Sequence, residues 1–218
     1  MSRHIKGVIF DLDGTLIDSM KSWENADIRF LRENNIPVPP GISEVMKRLS
    51  MKEAAQYFID LGVRMPHDRI TERIEQMVYE EYSSSISLKE YVTELLDVLE
   101  EKNIRFCVAT ANYRSLTDVI LRRYDIYDRF SFIYTCAENG IKKDDPSFFE
   151  NVSRLLGTSP EETAVLDDSL HCIESAHRSG FFSVAVYDSS SSDWEETSRT
   201  ADLSIKSLQE FAEFISEK

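Results

Sequence analysis

Gly7-Val8-Ile9-Phe10-Asp11-Leu12-Asp13-Gly14-Thr15 is an apolar run that stops abruptly at two carboxylates and a glycine. An apolar stretch of this length, without alternation, reads as a strand buried on both faces that empties into a loop. Open α/β sheets gather their ligand chemistry beyond the carboxyl ends of parallel strands. Asp11 and Asp13 therefore stand where a site is expected.

Downstream of this run the pattern changes twice. Between residues 18 and 87 strand-like runs are missing, and apolar residues recur at helical spacing in Trp23, Ala26, Phe30 and Leu31, and again in Ala54, Ala55, Phe58 and Ile59. A third helix is expected from Asp68 to Tyr82. Pro37, Pro39, Pro40 and Gly41 punctuate the stretch, and Ser83 to Ser85 read as a flexible polar joint that closes it. The aromatic residues Trp23, Phe30, Tyr57 and Phe58 are assigned to the packing of these helices. After residue 88 the chain alternates helix (91–101), strand (105–110), helix (116–124), strand (130–135), helix (146–156), strand (163–166), helix (170–179) and strand (182–187). A short strand at 203–205 and a last helix complete it, with the serines 189–192 as a loop. Such alternation implies a parallel sheet with helices on both faces. The fold class is thus α/β, a Rossmann-like parallel-sheet core formed by residues 1–17 and 88–218, with a helical insert at 18–87.

A formal net charge of −14 over 218 residues repels nucleic-acid backbones and anionic lipid, so neither is an expected partner. A small anion is not excluded, because lysine, backbone N–H groups and a metal ion act at short range where a distant surface is screened. Cys107, Cys136 and Cys172 are far apart and show no Cys-x-x-Cys spacing, which fits a reducing compartment. The stretch from Met1 to Phe10 lacks a signal-peptide core and no window reaches the apolar length of a membrane span, so a cytoplasmic location is expected.

Reactive residues fall at the ends of three expected strands: Asp11 and Asp13 after the first, Thr110 after the second, and Asp167 and Asp168 after 163–166. Parallel strands bring such ends side by side. Four carboxylates in one crevice repel one another unless a cation joins them, and hard oxygen ligands select Mg²⁺. Lys143, three residues before Pro146, adds a further positive charge. An Asp-Gly pair alone is an ordinary turn, and an Asp-Asp pair alone is a solvated pair or a helix cap. Their coincidence at successive strand ends is what turns needing no chemistry would not produce. His4, His67, His171 and His177 have no metal-site spacing, and Glu80-Glu81 and Glu195-Glu196 read as solvated pairs.

These motifs resemble those of the haloacid dehalogenase superfamily in its phosphatase branch. Val8-Ile9-Phe10-Asp11-Leu12-Asp13-Gly14-Thr15-Leu16 resembles the first motif, Thr110 the second, Lys143 the third and Val165-Leu166-Asp167-Asp168-Ser169 the fourth, over nearly the whole chain. The resemblance implies a phosphatase in which Asp11 is the nucleophile and Asp13 the general acid and base. It also implies that Thr110, Lys143 and the N–H groups near Leu12, Asp13 and Ala111 hold the phosphoryl oxygens, with Asn112 lining that edge. Mg²⁺ would be ligated by Asp11, the main-chain carbonyl of Asp13, Asp168, and Asp167 directly or through water. The insert resembles the small helical cap of the subgroup that includes phosphoglycolate phosphatases and β-phosphoglucomutases. Lys47, Arg48 and Lys52 flank the stretch where such caps place a substrate-selecting loop, and Lys52 is the candidate contact.

Departures from the pattern are local. Leu88-Lys89-Glu90 stands where a Pro and a Gly usually open the helix, Ala111-Asn112-Tyr113 where Asn-Gly or Ser is common, and Cys172 where a Gly is common. The expected activity is Mg²⁺-dependent hydrolysis of a small phosphorylated metabolite through an aspartyl-phosphate. The alternatives are a phosphoryl-transferring mutase, a silent binding protein of the same fold, and dehalogenase chemistry, which lacks a second acid like Asp13. In the mutases a histidine follows the nucleophile by twelve residues, and this chain has Trp23 there. Oligomeric state is not legible.

Overall fold

Strand β1 (Gly7–Phe10) is buried at every residue and lies at the centre of a six-stranded sheet. The computed structural model describes residues 4–46 and 49–217. Two units emerge, one made of Met1–Asp18 with Ser87–Lys218 and the other of Ser19–Ile86.

In the first unit the elements after β1 are α5 (Val92–Glu101), β2 (Arg105–Thr110), α6 (Arg114–Arg123), β3 (Ile133–Thr135), α7 (Cys136–Asn139), α8 (Pro146–Leu156), β4 (Thr163–Asp167), α9 (Leu170–Arg178), β5 (Phe182–Val186), α10 (Trp194–Thr200), β6 (Leu203–Ile205) and α11 (Leu208–Ser216). The strands pair in parallel in the order β3-β2-β1-β4-β5-β6. Parallel pairing needs crossovers, and the helices that supply them cover both faces. Ile9 sits opposite Cys107 and Val165. On that face they join Phe148, Phe149, Val152 and Leu156 of α8 and Cys172 and Ala176 of α9 in one buried cluster. Strand side chains alternate, so Phe10 and Phe106 point the other way, where Phe130 meets both edge-on. Each fully buried side chain of this size contributes about 1.5–3 kcal/mol. Helix α8 begins at Asp145, whose carboxylate accepts from Ser147 N, and ends at Gly157 with φ 73°. That left-handed stop is the one expected from Leu156-Gly157.

The helical unit contains α1 (Met20–Glu33), α2 (Ile42–Met46), α3 (Met51–Asp60) and α4 (His67–Ser84). Helix α3 opens with a reciprocal capping box between Ser50 and Glu53, which satisfies two otherwise orphaned N–H donors. Phe30 and Phe58 are fully buried and meet edge-on at 5.0 Å. Trp23 and Tyr57 are half-buried, and Trp23 packs edge-on against Tyr82 while its indole N–H donates to the Tyr82 hydroxyl at 3.0 Å. Asp27, only 7% exposed, has its carboxyl pushed up to about 7 by burial and then by the charge of Glu24.

Three expectations need correction. Ser83 and Ser84 belong to α4, because their hydroxyls donate back to the Glu80 carbonyl and complete the last turn. The strand expected at 130–135 shrinks to β3, since residues 127–129 form a 3₁₀ turn and the Phe130 ring is drawn into the core. Helices α2, α7 and α10 were not foreseen. Among the described residues no helix is long and apolar enough to cross a membrane.

Candidate active site

Asp11 follows β1, and its N–H donates to the Leu166 carbonyl at 2.9 Å, so the ladder between β1 and β4 continues into the site. The chain then turns sharply: Leu16 N and Ile17 N both donate to the Leu12 carbonyl. Gly14 makes this turn with φ +82°, and a Cβ there would lie 2.5 Å from Asp168 Oδ2. Only glycine supplies both the left-handed backbone and the room for that carboxylate.

Asp167 ends β4 at 1% exposure and Asp168 follows at 6%. Asp167 Oδ1 accepts from Ser169 N at 3.0 Å, and its Oδ2 accepts from Lys143 Nζ at 2.6 Å. Lys143 lies between α7 and α8, is itself buried, and also donates to Asp11 Oδ1 at 2.6 Å. Lys142, its neighbour, is exposed. Oxygens of Asp11, Asp167 and Asp168 lie within 4.8 Å of one another. Three carboxylates against one ammonium leave two formal negative charges in a buried site.

The electrostatics register that imbalance. Burial, together with the charges of Asp167 and Asp13, pushes Asp11 up to about 7 even though Lys143 pulls it down. Asp168 is held well above the usual carboxylate range by burial and by Asp167, Asp11 and Asp188. Burial opposes the charge of Lys143, but Asp11 and Asp167 outweigh it and raise the ammonium above its ordinary value. A hard divalent cation beside these oxygens would cancel the surplus charge, so the donor set fits Mg²⁺.

Four carboxylates were expected to share the crevice. Three form the oxygen cluster, whereas the Asp13 carboxylate accepts a hydrogen bond from Asn112 Nδ2 at 2.8 Å. Thr110 ends β2 at 1% exposure, with its hydroxyl accepting from Asn112 N at 3.0 Å; Ala111 between them is exposed. Lys52 is exposed at the start of α3 in the helical unit, and Lys47 and Arg48 lie outside the described residues. Cys172 is buried in the core cluster, as a packing residue would be, and its thiol is pushed up by burial and by the nearby Asp167.

One charged pair escaped the sequence reading. Lys89 Nζ meets Asp188 Oδ2 at 2.8 Å and also donates to the Tyr187 carbonyl at 2.9 Å. Asp188 is 3% exposed. Burial raises its carboxyl, but bonds from Lys89 and Ser190 outweigh that and hold it below the usual range. Its negative charge reaches Asp168. The signal was available, for Asp188 is another carboxylate just past a strand.

A parallel sheet whose central strands end in an aspartate cluster bridged by a buried lysine forms a crevice suited to a metal ion and an anionic ligand at the carboxyl ends of the strands. The family model described as haloacid dehalogenase-like hydrolase matches residues 8–186, and the chain belongs to that family. A β-phosphoglucomutase of Bacillus subtilis is 27% identical over 190 residues, covering 84% of this chain and 83% of that one. Hexitol phosphatase B of Escherichia coli is 21% identical, covering 78% of each. The crystal structure of CbbY from Rhodobacter sphaeroides in complex with phosphate shares the fold with a TM-score of 0.81 at 19% identity, over 95% of this chain and 96% of that one.

Proposed function

We propose that this chain is a Mg²⁺-dependent phosphatase that hydrolyses a small phosphorylated metabolite through a phosphoryl-Asp11 intermediate. The observation that carries the reading is Lys143, which clamps Asp11 Oδ1 and Asp167 Oδ2 at 2.6 Å each beside the three-carboxylate cluster. With Oδ1 held, Asp11 Oδ2 is the oxygen that attacks phosphorus. The P–O ester bond breaks and Asp13 gives its proton to the leaving oxygen. Asp13 then takes a proton from water as the water oxygen attacks phosphorus and frees Asp11. Thr110, Lys143 and the N–H groups of Leu12, Asp13 and Ala111 hold the phosphoryl oxygens as charge redistributes. When bound by Asp11, Asp168, the Asp13 carbonyl and Asp167, Mg²⁺ supplies the positive charge that lets a phosphate dianion approach these carboxylates.

The names of the relatives support a phosphorylated sugar or sugar alcohol as the first substrate to assay, and Lys52 is the cap residue to test for selectivity. The net charge of −14 argues against nucleic-acid and membrane partners, and the free thiols of Cys107, Cys136 and Cys172 fit the cytoplasm. The test is Asp11→Asn, which keeps size and removes the nucleophile: hydrolysis of an aryl phosphate should vanish in a folded protein. Rapid acid quench of wild type during turnover of a radiolabelled phosphate ester should trap the phosphoryl group on Asp11. Turnover with no phosphoryl group trapped on Asp11 points to direct attack by water.

The mutase reading is favoured by the 27% identity to a β-phosphoglucomutase. Trp23 opposes it. An indole is a donor only and cannot relay a proton as imidazole does, and here it donates to Tyr82. Supplying β-glucose 1-phosphate with a trace of glucose 1,6-bisphosphate separates the readings, because rapid formation of glucose 6-phosphate with little free phosphate overturns the phosphatase.

A further inference from the structure

Asn112 is buried at 7% exposure, and its side-chain amide is used at both ends. Its Oδ1 accepts from Tyr113 N at 2.7 Å, its own N–H donates to Thr110 Oγ1 at 3.0 Å, and its Nδ2 donates to Asp13 Oδ2 at 2.8 Å. The first two bonds form a local turn beyond β2 that fixes the amide's direction. The third spans 99 positions of sequence and joins the loop after β2 to the loop after β1.

We infer that Asn112 is a positioning residue for the acid-base carboxyl of Asp13 and not a substrate ligand. An amide NH₂ can only donate, so Asp13 Oδ2 is kept as an acceptor and the transferable proton is confined to Oδ1. A carboxyl free to rotate would present its proton from either oxygen and in many directions. Proton transfer in the transition state depends on that direction, and a correctly placed acid accelerates a reaction by about 10²–10⁴-fold. The inference rests on the phosphatase reading, since an acid matters only when a poor leaving group departs.

The decisive variant is Asn112→Asp. It is nearly isosteric and keeps the oxygen that accepts from Tyr113 N, so the turn survives, while the donor facing Asp13 becomes a second acceptor. Asn112→Ala is the companion that removes both bonds. Each protein is assayed with Mg²⁺ on two esters, 4-nitrophenyl phosphate, whose phenolate leaves without protonation, and an alkyl phosphate, whose alkoxide does not. The value of kcat/KM reports phosphoryl transfer to Asp11 and excludes the later hydrolysis step. For the alkyl ester it should fall by about 10²-fold or more in Asn112→Asp, mainly through kcat. For 4-nitrophenyl phosphate the fall should be smaller by about tenfold or more, being only what an added negative charge costs any phosphate dianion, and a burst of nitrophenol should appear because Asp13 activates water poorly in the second step.

Asn112→Ala should show the same split. Equal losses on both esters, or a raised KM without a change in kcat, would make Asn112 a phosphate ligand and overturn the inference while leaving the phosphatase intact. Wild-type activity on both esters with no effect of either variant overturns it too. A wild type that hydrolyses neither ester removes the phosphatase reading and the inference together.

Discussion

Replacing Lys143 by alanine removes the only side-chain cation that the described residues place between Asp11 and Asp167. The ammonium is 6% exposed and its two carboxylate partners are 9% and 1% exposed, with both contacts at 2.6 Å. Breaking a buried ion pair by deleting one partner costs about 3–5 kcal/mol, because the other charge is left uncompensated. Here two carboxylates lose the same partner, and Asp168 crowds them further. The loss should be largest in chelator above pH 7, where Asp11 must ionise, and smaller at pH 5, where it keeps a proton. Added Mg²⁺ should recover part of it by supplying charge to the same oxygens. Turnover should fall by about 10²–10³-fold, the usual effect of losing one preorganised donor to a transition-state oxygen. Lys142→Ala is the control: an exposed neighbour should stay within about 0.5 kcal/mol of wild type. Urea unfolding at both pH values, with chelator or Mg²⁺, and steady-state kinetics read these effects. If Lys142→Ala matched Lys143→Ala in both measurements, the charge balance argued for this site would be wrong.

Excess chelator should abolish hydrolysis of an aryl phosphate and Mg²⁺ should restore it, whereas undiminished turnover in chelator refutes the metal assignment. Gly14→Ala should weaken Mg²⁺ binding by about 10–100-fold by calorimetry, since the added methyl would sit 2.5 Å from Asp168 Oδ2; unchanged affinity means that Asp168 is not a ligand. Asp27 holds its proton to about 7 in the fold, against 3.8 ordinarily, so its folded value is raised. The stabilisation is full below about pH 4 and is lost as pH rises toward 7, because the unfolded chain then releases a proton that the fold retains. Asp27→Asn cannot ionise and should therefore unfold at higher urea than wild type at pH 8, by a few kcal/mol, with a smaller gap at pH 5. A constant gap would show that burial of the carboxyl is not its source.

The core strands were legible because β1, β2 and β4 are covered on both faces, and continuous burial leaves a run of apolar residues that no solvent-facing position interrupts. Helix α10 left no such trace. Glu195, Glu196 and Arg199 face solvent and the buried residue is Thr197, so tertiary packing and not an apolar stripe holds it in place. Helix α2 has only five residues, too few for a period. Within the site, Asp11, Asp167 and Asp168 were visible as carboxylates at strand ends, and their convergence follows from the strand order. The partnership of Asn112 with Asp13 and that of Lys89 with Asp188 were not visible, since each joins residues about a hundred positions apart through loops whose paths no periodicity encodes. Lys143 was separable from Lys142 only by its offset from Pro146, and the structure buries one and exposes the other.

The helical segment leaves and rejoins the core through a doorway of paired backbone. Asp18 N donates to the Ser87 carbonyl at 3.0 Å, Lys89 N donates to the Leu16 carbonyl at 2.9 Å, and Ile17 and Leu88 form an antiparallel bridge. The two ends are therefore neighbours whatever lies between them. Because the cost of closing a loop grows only with the logarithm of its length, this doorway imposes almost no size limit on its contents. A two-residue turn or a much longer module could be spliced at the same joint without asking the sheet to change its register. The parallel core can thus be treated as a socket, and residues 19–86 as a module that can be exchanged at this joint while leaving the carboxylates and their lysine in place.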